Sequence, residues 1–178
     1  MDWVGAVLGD DDPLLAGLGV DGLPLADRAA LVARELEIPL AGSLAEAVAR
    51  GGGVLVLDAH CPLVSAEDVV RVMSAAETSP AVGVRPVTDT VKRVRHDGGD
   101  WLGETVDREA LVAVTAPLAV PDGSVLSGLE DGADVAGLVA ALRRVTGVAL
   151  VEVGPAARRV RDASDLELLS AGSPLRLE

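Results

Sequence analysis

The chain has no phenylalanine and no tyrosine, and only two tryptophans. Its core must therefore be assembled from Ala, Val and Leu, within a hydrophobic content of 49%. There is a single cysteine, Cys61. An intrachain disulfide is excluded, and the usage fits a reducing, cytoplasmic setting. His60, His96 and Cys61 are too few for a Cys/His metal cluster. Basic residues are scarce: 15 Lys and Arg stand against 28 Asp and Glu, a formal net charge of −13. That balance argues against nonspecific nucleic-acid binding and against docking on anionic membranes. A polyanionic ligand would need local cations to offset the field. No apolar run approaches the roughly 20 residues that cross a bilayer. The opening Met1-Asp2-Trp3-Val4 lacks a basic stretch ahead of an apolar one, so no secretory leader is expected.

With 178 residues, the chain is expected to form one domain, residues 1–178. Its most informative stretch is Val54-Leu55-Val56-Leu57-Asp58, which follows Gly51–Gly53 and precedes Pro62. The run is apolar throughout, as in a strand buried on both faces of a sheet. Asp58 then lies at the carboxyl end of a central strand, where open α/β sheets gather ligands. A plain turn cap is the alternative.

The other segments alternate between strand and helix patterns. Trp3–Leu8 reads as a strand ending at Gly9, and Asp12-Pro13 as the start of a short helix. Leu25–Leu36 is amphipathic. Ser43 with Glu46 forms a capping-box pattern for the next helix. Ser65 caps a helix through Val69, Val72 and Met73. Ala81–Val87 is a strand. Asp89–Arg95 and Trp101–Val106 flank a turn at 96–100, a hairpin pattern. Asp134–Leu142 reads as helix, Val148–Val153 as strand, Asp165–Leu169 as a last short helix and Ser170–Glu178 as a loose tail. Asp10, Asp11 and Asp12 could hold a divalent cation; a solvated turn is the simpler reading.

Three ordered blocks carry a resemblance. Leu55-Val56-Leu57-Asp58-Ala59-His60-Cys61-Pro62 resembles the H-D-A-A-R-P strand end of the 2-C-methyl-D-erythritol 4-phosphate cytidylyltransferase family of the non-mevalonate isoprenoid pathway. Pro86–Arg93 and Thr105-Val106-Asp107-Arg108 match two further blocks at the right separation. The resemblance implies a three-layer, Rossmann-like α/β fold with a mostly parallel sheet of the nucleotide-diphospho-sugar transferase type. It also implies a protruding β-hairpin arm over residues 88–108 that clasps a second subunit, giving a homodimer. It assigns nucleotide binding to the loop after Gly9 and to Asp58, which would also help hold Mg2+. It assigns the sugar-phosphate substrate to Thr90, Arg108 and Arg159.

The sequence departs from the family's pattern on the nucleotide side. With Gly9 and Leu23–Arg28 as anchors, Pro13 falls on the family's loop arginine and Val20 on its lysine, so no catalytic residue is assigned. The span between the first strand and the Asp58 strand, about 45 residues, is roughly half that expected from the resemblance and lacks a βα unit. Cys61 replaces an arginine and reads as a buried thiol, Ala133 replaces a threonine, and Val135 an acid. Lys92, Arg93 and Arg95 make a basic cluster on the arm, which could equally be a solvated charged surface. Three readings follow: a family member with a degraded nucleotide site and little transferase activity that still binds a phosphorylated small molecule; an active nucleotidyltransferase with altered nucleotide or metal use; or a structural or regulatory dimer partner.

Overall fold

A computed structural model describes residues 2–9, 12–15, 17–88, 90–96, 101–129 and 134–172, with the side chains of Leu14, Arg95, Trp101 and 170–172 left aside. Expectations for Asp10, Asp11, Ala133, most of the arm turn and the last six residues fall outside this set.

The strands in chain order are β1 (Trp3–Leu8), β2 (Gly19–Val20), β3 (Leu23–Pro24), β4 (Gly53–Asp58), β5 (Ala81–Pro86), β6 (Val91–Arg95), β7 (Trp101–Val106), β8 (Val112–Val120) and β9 (Ala149–Glu152). The helices are α1 (Leu25–Glu35), α2 (Leu44–Arg50), α3 (Ala66–Ala75), α4 (Val135–Leu142) and α5 (Ala163–Gly172). A five-stranded sheet runs β1-β4-β8-β5-β9. β1 lies parallel to β4 and β5 parallel to β9, while β8 runs against both of its neighbours. The expected three-layer α/β fold is present, with a mixed sheet.

β4 explains the layering. All six of its residues are buried, and strand side chains alternate between faces. Val54 and Val56 point into one cluster with Leu44 and Ala47 of α2 and Leu138 and Leu142 of α4. Leu55 and Leu57 point into the other, with Val32 and Ala33 of α1 and Val69 and Val72 of α3. Full burial stabilises by about 1.5–3 kcal/mol per Val or Leu side chain, so the aliphatic core needs no rings.

Local chemistry sets the helix starts. Ser43 and Ser65 accept from the amides of Glu46 and Asp68, and Asp134 from that of Gly137. The reciprocal arm of the expected capping box lands one residue early, on the Gly42 amide at 2.7 Å from Glu46 Oε2. Asp12-Pro13 opens only a single 3-10 turn, Pro13–Leu15. The last helix is longer than its periodicity suggests: α5 reaches Gly172, so residues 170–172 are helix and not tail.

The two strands of the expected hairpin pair. β6 and β7 make a separate antiparallel pair, with Val94 opposite Leu102. Both side chains are exposed, at 47% and 76%.

Candidate functional site

The parallel strands β1 and β4 end side by side, Leu8 beside Asp58, and the Ala59 amide donates to the Leu8 carbonyl at 2.8 Å. Beyond this point the chain turns sharply twice. Gly9 has φ +75°, a left-handed conformation that side-chain-bearing residues avoid. Asp58 folds the other chain back on itself: its Oδ1 accepts from the His60 amide at 2.8 Å, an Asx turn. His60 is thereby swung into the gap, its ring over Gly9. A Cβ added to Gly9 would lie 2.9 Å from His60 Nδ1.

A chain of polar contacts crosses the site. His60 Nδ1 lies 2.9 Å from Asp58 Oδ1, and its Nε2 lies 3.0 Å from Asp12 Oδ2. Arg159 Nη1 donates to Asp58 Oδ2 at 2.9 Å and lies 3.7 Å from Asp134 Oδ2. Asp58 and His60 are buried, at 2% and 7% exposure. Both imidazole nitrogens thus face carboxylate oxygens, which accept hydrogen bonds when ionised. Arg159 arrives because the adjacent Val160, itself buried, donates its amide to the His60 carbonyl at 2.6 Å. Three carboxylates thus face one guanidinium and one imidazole.

Beside this cluster opens a cleft of about 550 Å3, with Asp12, Pro13 and Leu15 on one wall and Ala59 on another. Among the described residues, no Lys, Arg or His lines it. Val20 does not face the cleft. It is 2% exposed and packs with Leu15, Leu25, Leu63 and Leu166 in a small separate core. The position read as the family's lysine is therefore an apolar core position.

Cys61 is buried, its Sγ 3.2 Å from Thr115 Oγ1, which itself donates to the Ala157 carbonyl. Burial, with the nearby Asp58 charge second, pushes the thiol up to about 11. That is no nucleophile at neutral pH. Asp165 anchors the segment carrying Arg159: Arg161 Nε and Arg158 Nη2 each reach its carboxylate at 3.0 Å. Its carboxyl is held below the usual range, chiefly by the Arg161 hydrogen bond.

The site residues read from sequence divide into two groups. Gly9, Asp58 and Arg159 come together at the ends of β1 and β4. Thr90 and Arg108 lie at the base of the arm, both exposed, where Arg108 Nη1 donates to the Thr88 carbonyl at 2.9 Å. Among the described residues, no hydrogen bond or ion pair joins the two groups. Sequence reasoning missed His60 and Asp12 as a linked pair. The signal available was His60 standing where the resembling motif has alanine. Among the described residues, no group of three or more His, Cys, Asp and Glu is arranged to hold a metal ion.

A family model for 2-C-methyl-D-erythritol 4-phosphate cytidylyltransferase matches residues 42–171. The match begins after the loop that carries Gly9, Pro13 and Val20. A bifunctional enzyme IspD/IspF of Novosphingobium aromaticivorans is 37% identical over 119 residues, 64% of this chain and 30% of that protein. A 2-C-methyl-D-erythritol 4-phosphate cytidylyltransferase of Acidithiobacillus ferrooxidans is 33% identical over 120 residues, 66% of this chain and 49% of that protein. The chain thus spans less than half the length of either relative. The crystal structure of the cytidylyltransferase from Thermus thermophilus superposes with a TM-score of 0.73 at 26% identity, covering 96% of this chain and 98% of that one. The Francisella tularensis structure, at 13% identity and a TM-score of 0.68, shows the same fold.

Proposed function

Because the chain belongs to the 2-C-methyl-D-erythritol 4-phosphate cytidylyltransferase family, we propose that it is a member whose triphosphate cradle no longer favours a nucleotide and whose transferase activity is slight or absent. One observation carries this reading: Asp12 is held by His60, 3.0 Å from Nε2, at the wall of a cleft that no Lys, Arg or His lines among the described residues. A fixed carboxylate there repels a triphosphate. Two unit charges about 4 Å apart interact by roughly 4 kcal/mol near a protein surface and about 1 kcal/mol in water. Pro13 and Val20 remove two attractions of that kind, and Val20 lies in an apolar core instead of on the cleft. Stabilisation of developing charge is usually the largest catalytic term, so the loss falls on the chemical step.

Retained features support a residual role on the other side of the site. Thr90 and Arg108 sit at the arm base, and Arg159 keeps a guanidinium 36% exposed at the edge of the cluster. These suit a phosphorylated small molecule shared between two copies of the chain. The exposed Val94 and Leu102 pair on the arm gives a homodimer an apolar contact.

The test is pyrophosphate release from CTP with methylerythritol phosphate and Mg2+. The expected rate is indistinguishable from the no-enzyme control. CTP-dependent turnover abolished by Arg159→Ala overturns the reading. In parallel, methylerythritol phosphate should raise the melting temperature while CTP leaves it unmoved.

A further inference from the structure

Family membership implies a divalent ion at Asp58, and the residues around it do not fit one. A carboxylate offers about four lone-pair positions. On Asp58, Oδ1 faces the His60 amide at 2.8 Å and His60 Nδ1 at 2.9 Å, and Oδ2 takes Arg159 Nη1 at 2.9 Å. Three of the four are engaged by donors of the chain itself. Mg2+ keeps several of its waters when it binds one or two carboxylates, and at 2% exposure Asp58 has no room for a hydrated ion. Asp12 is not turned to Asp58 as a second ligand: its Oδ2 meets the far nitrogen of the same imidazole.

We infer that His60 and Arg159 stand in for a divalent ion at Asp58, so that this site is a metal-free clamp built from side chains. The clamp does mechanically what a bound ion does in such a cluster. It joins the loop after β1 through Asp12, the end of β4 through Asp58 and His60, and the segment before α5 through Arg159. Asp134, at the start of α4, extends it at 3.7 Å. The inference concerns the metal alone and stands or falls apart from turnover: the chain could prove active without a metal at Asp58, or inactive with one.

The experiment is Mn2+ binding to the purified full chain without nucleotide, followed by electron paramagnetic resonance and by melting temperature. The wild-type chain is expected to bind no Mn2+ through Asp58, so the Asp58→Asn variant gives the same titration. Mn2+ binding that Asp58→Asn abolishes overturns the inference. Freeing Asp58 by His60→Ala or Arg159→Ala should raise Mn2+ affinity about tenfold, equivalent to ~1.4 kcal/mol, and the gain should vanish when Asp58→Asn is added. Folded variants with no gain overturn the assignment of these two side chains as the substitute. The wild-type titration decides the matter if neither variant folds.

Discussion

Asp58 and Arg159 are 101 residues apart in sequence and meet at 2.9 Å. Their burial is unequal, with side chains 2% and 36% exposed. Removing Asp58 leaves the His60 donors and the guanidinium without their acceptor, whereas removing Arg159 leaves a carboxylate still held by His60. Asp58→Ala should cost about 2–4 kcal/mol and Arg159→Ala about 1–2 kcal/mol, the second reduced by solvent screening. Urea denaturation measures both. Equal costs would contradict the asymmetry.

Gly9→Ala tests the contact between loop and imidazole. Alanine at φ +75° costs about 1–2 kcal/mol in backbone conformation alone, and its Cβ would lie 2.9 Å from His60 Nδ1. The double variant with His60→Ala should recover the steric part and keep the backbone part. The two substitutions are therefore expected to be non-additive by about 1 kcal/mol in a double-mutant cycle.

Putting back the two missing cations should have opposite consequences. Val20 is 2% exposed in an apolar core, so Val20→Lys is expected to destabilise by about 3–5 kcal/mol, as an uncompensated buried charge does. Pro13 is exposed on the cleft wall. Pro13→Arg should leave stability within about 0.5 kcal/mol and tighten binding of inorganic tripolyphosphate about fivefold. Thermal melts and calorimetric titration separate the two effects.

Cys61 gives a pH signature. Its thiol is raised to about 11 when folded, against roughly 8.5 for a free thiol. The native state then holds a proton that the unfolded state releases. This contribution is intact below about pH 8.5 and declines as pH rises from there towards 11. Cys61→Ser should flatten the alkaline fall in melting temperature between those values. Native protein should also resist iodoacetamide at pH 8 and react only in denaturant.

The arm is expected to make the dimer. Val94 and Leu102 face each other across β6 and β7, at 47% and 76% exposure. Val94→Asp combined with Leu102→Asp should convert a dimer to a monomer by sedimentation. It should leave the monomer's far-ultraviolet spectrum unchanged, since neither side chain enters the core.

Periodicity and caps made most elements legible. The unbroken apolar run 54–57 announced a strand buried on both faces, Ser43 and Ser65 announced their helices, and the spacing of residues 89–106 announced the hairpin. Sequence missed the full reach of α5. A helix packed by Leu166 against Leu63 and Val160 can extend beyond what its own weak amphipathicity signals, because tertiary contact supplies the stability.

By itself, then, the sequence determined the layers, the place of Asp58 at a strand end and the loss of basic residues from the loop, since these follow from local pattern and residue identity. Only the tertiary structure decided that Val20 faces a core and that His60 bridges Asp12 and Asp58. It alone decided that Arg159 completes the cluster from the far end of the chain. Those facts depend on which backbone turns bring Asp12 to 3.0 Å from His60 and Arg159 to 2.9 Å from Asp58, across 48 and 101 residues of sequence, and no local pattern encodes those distances.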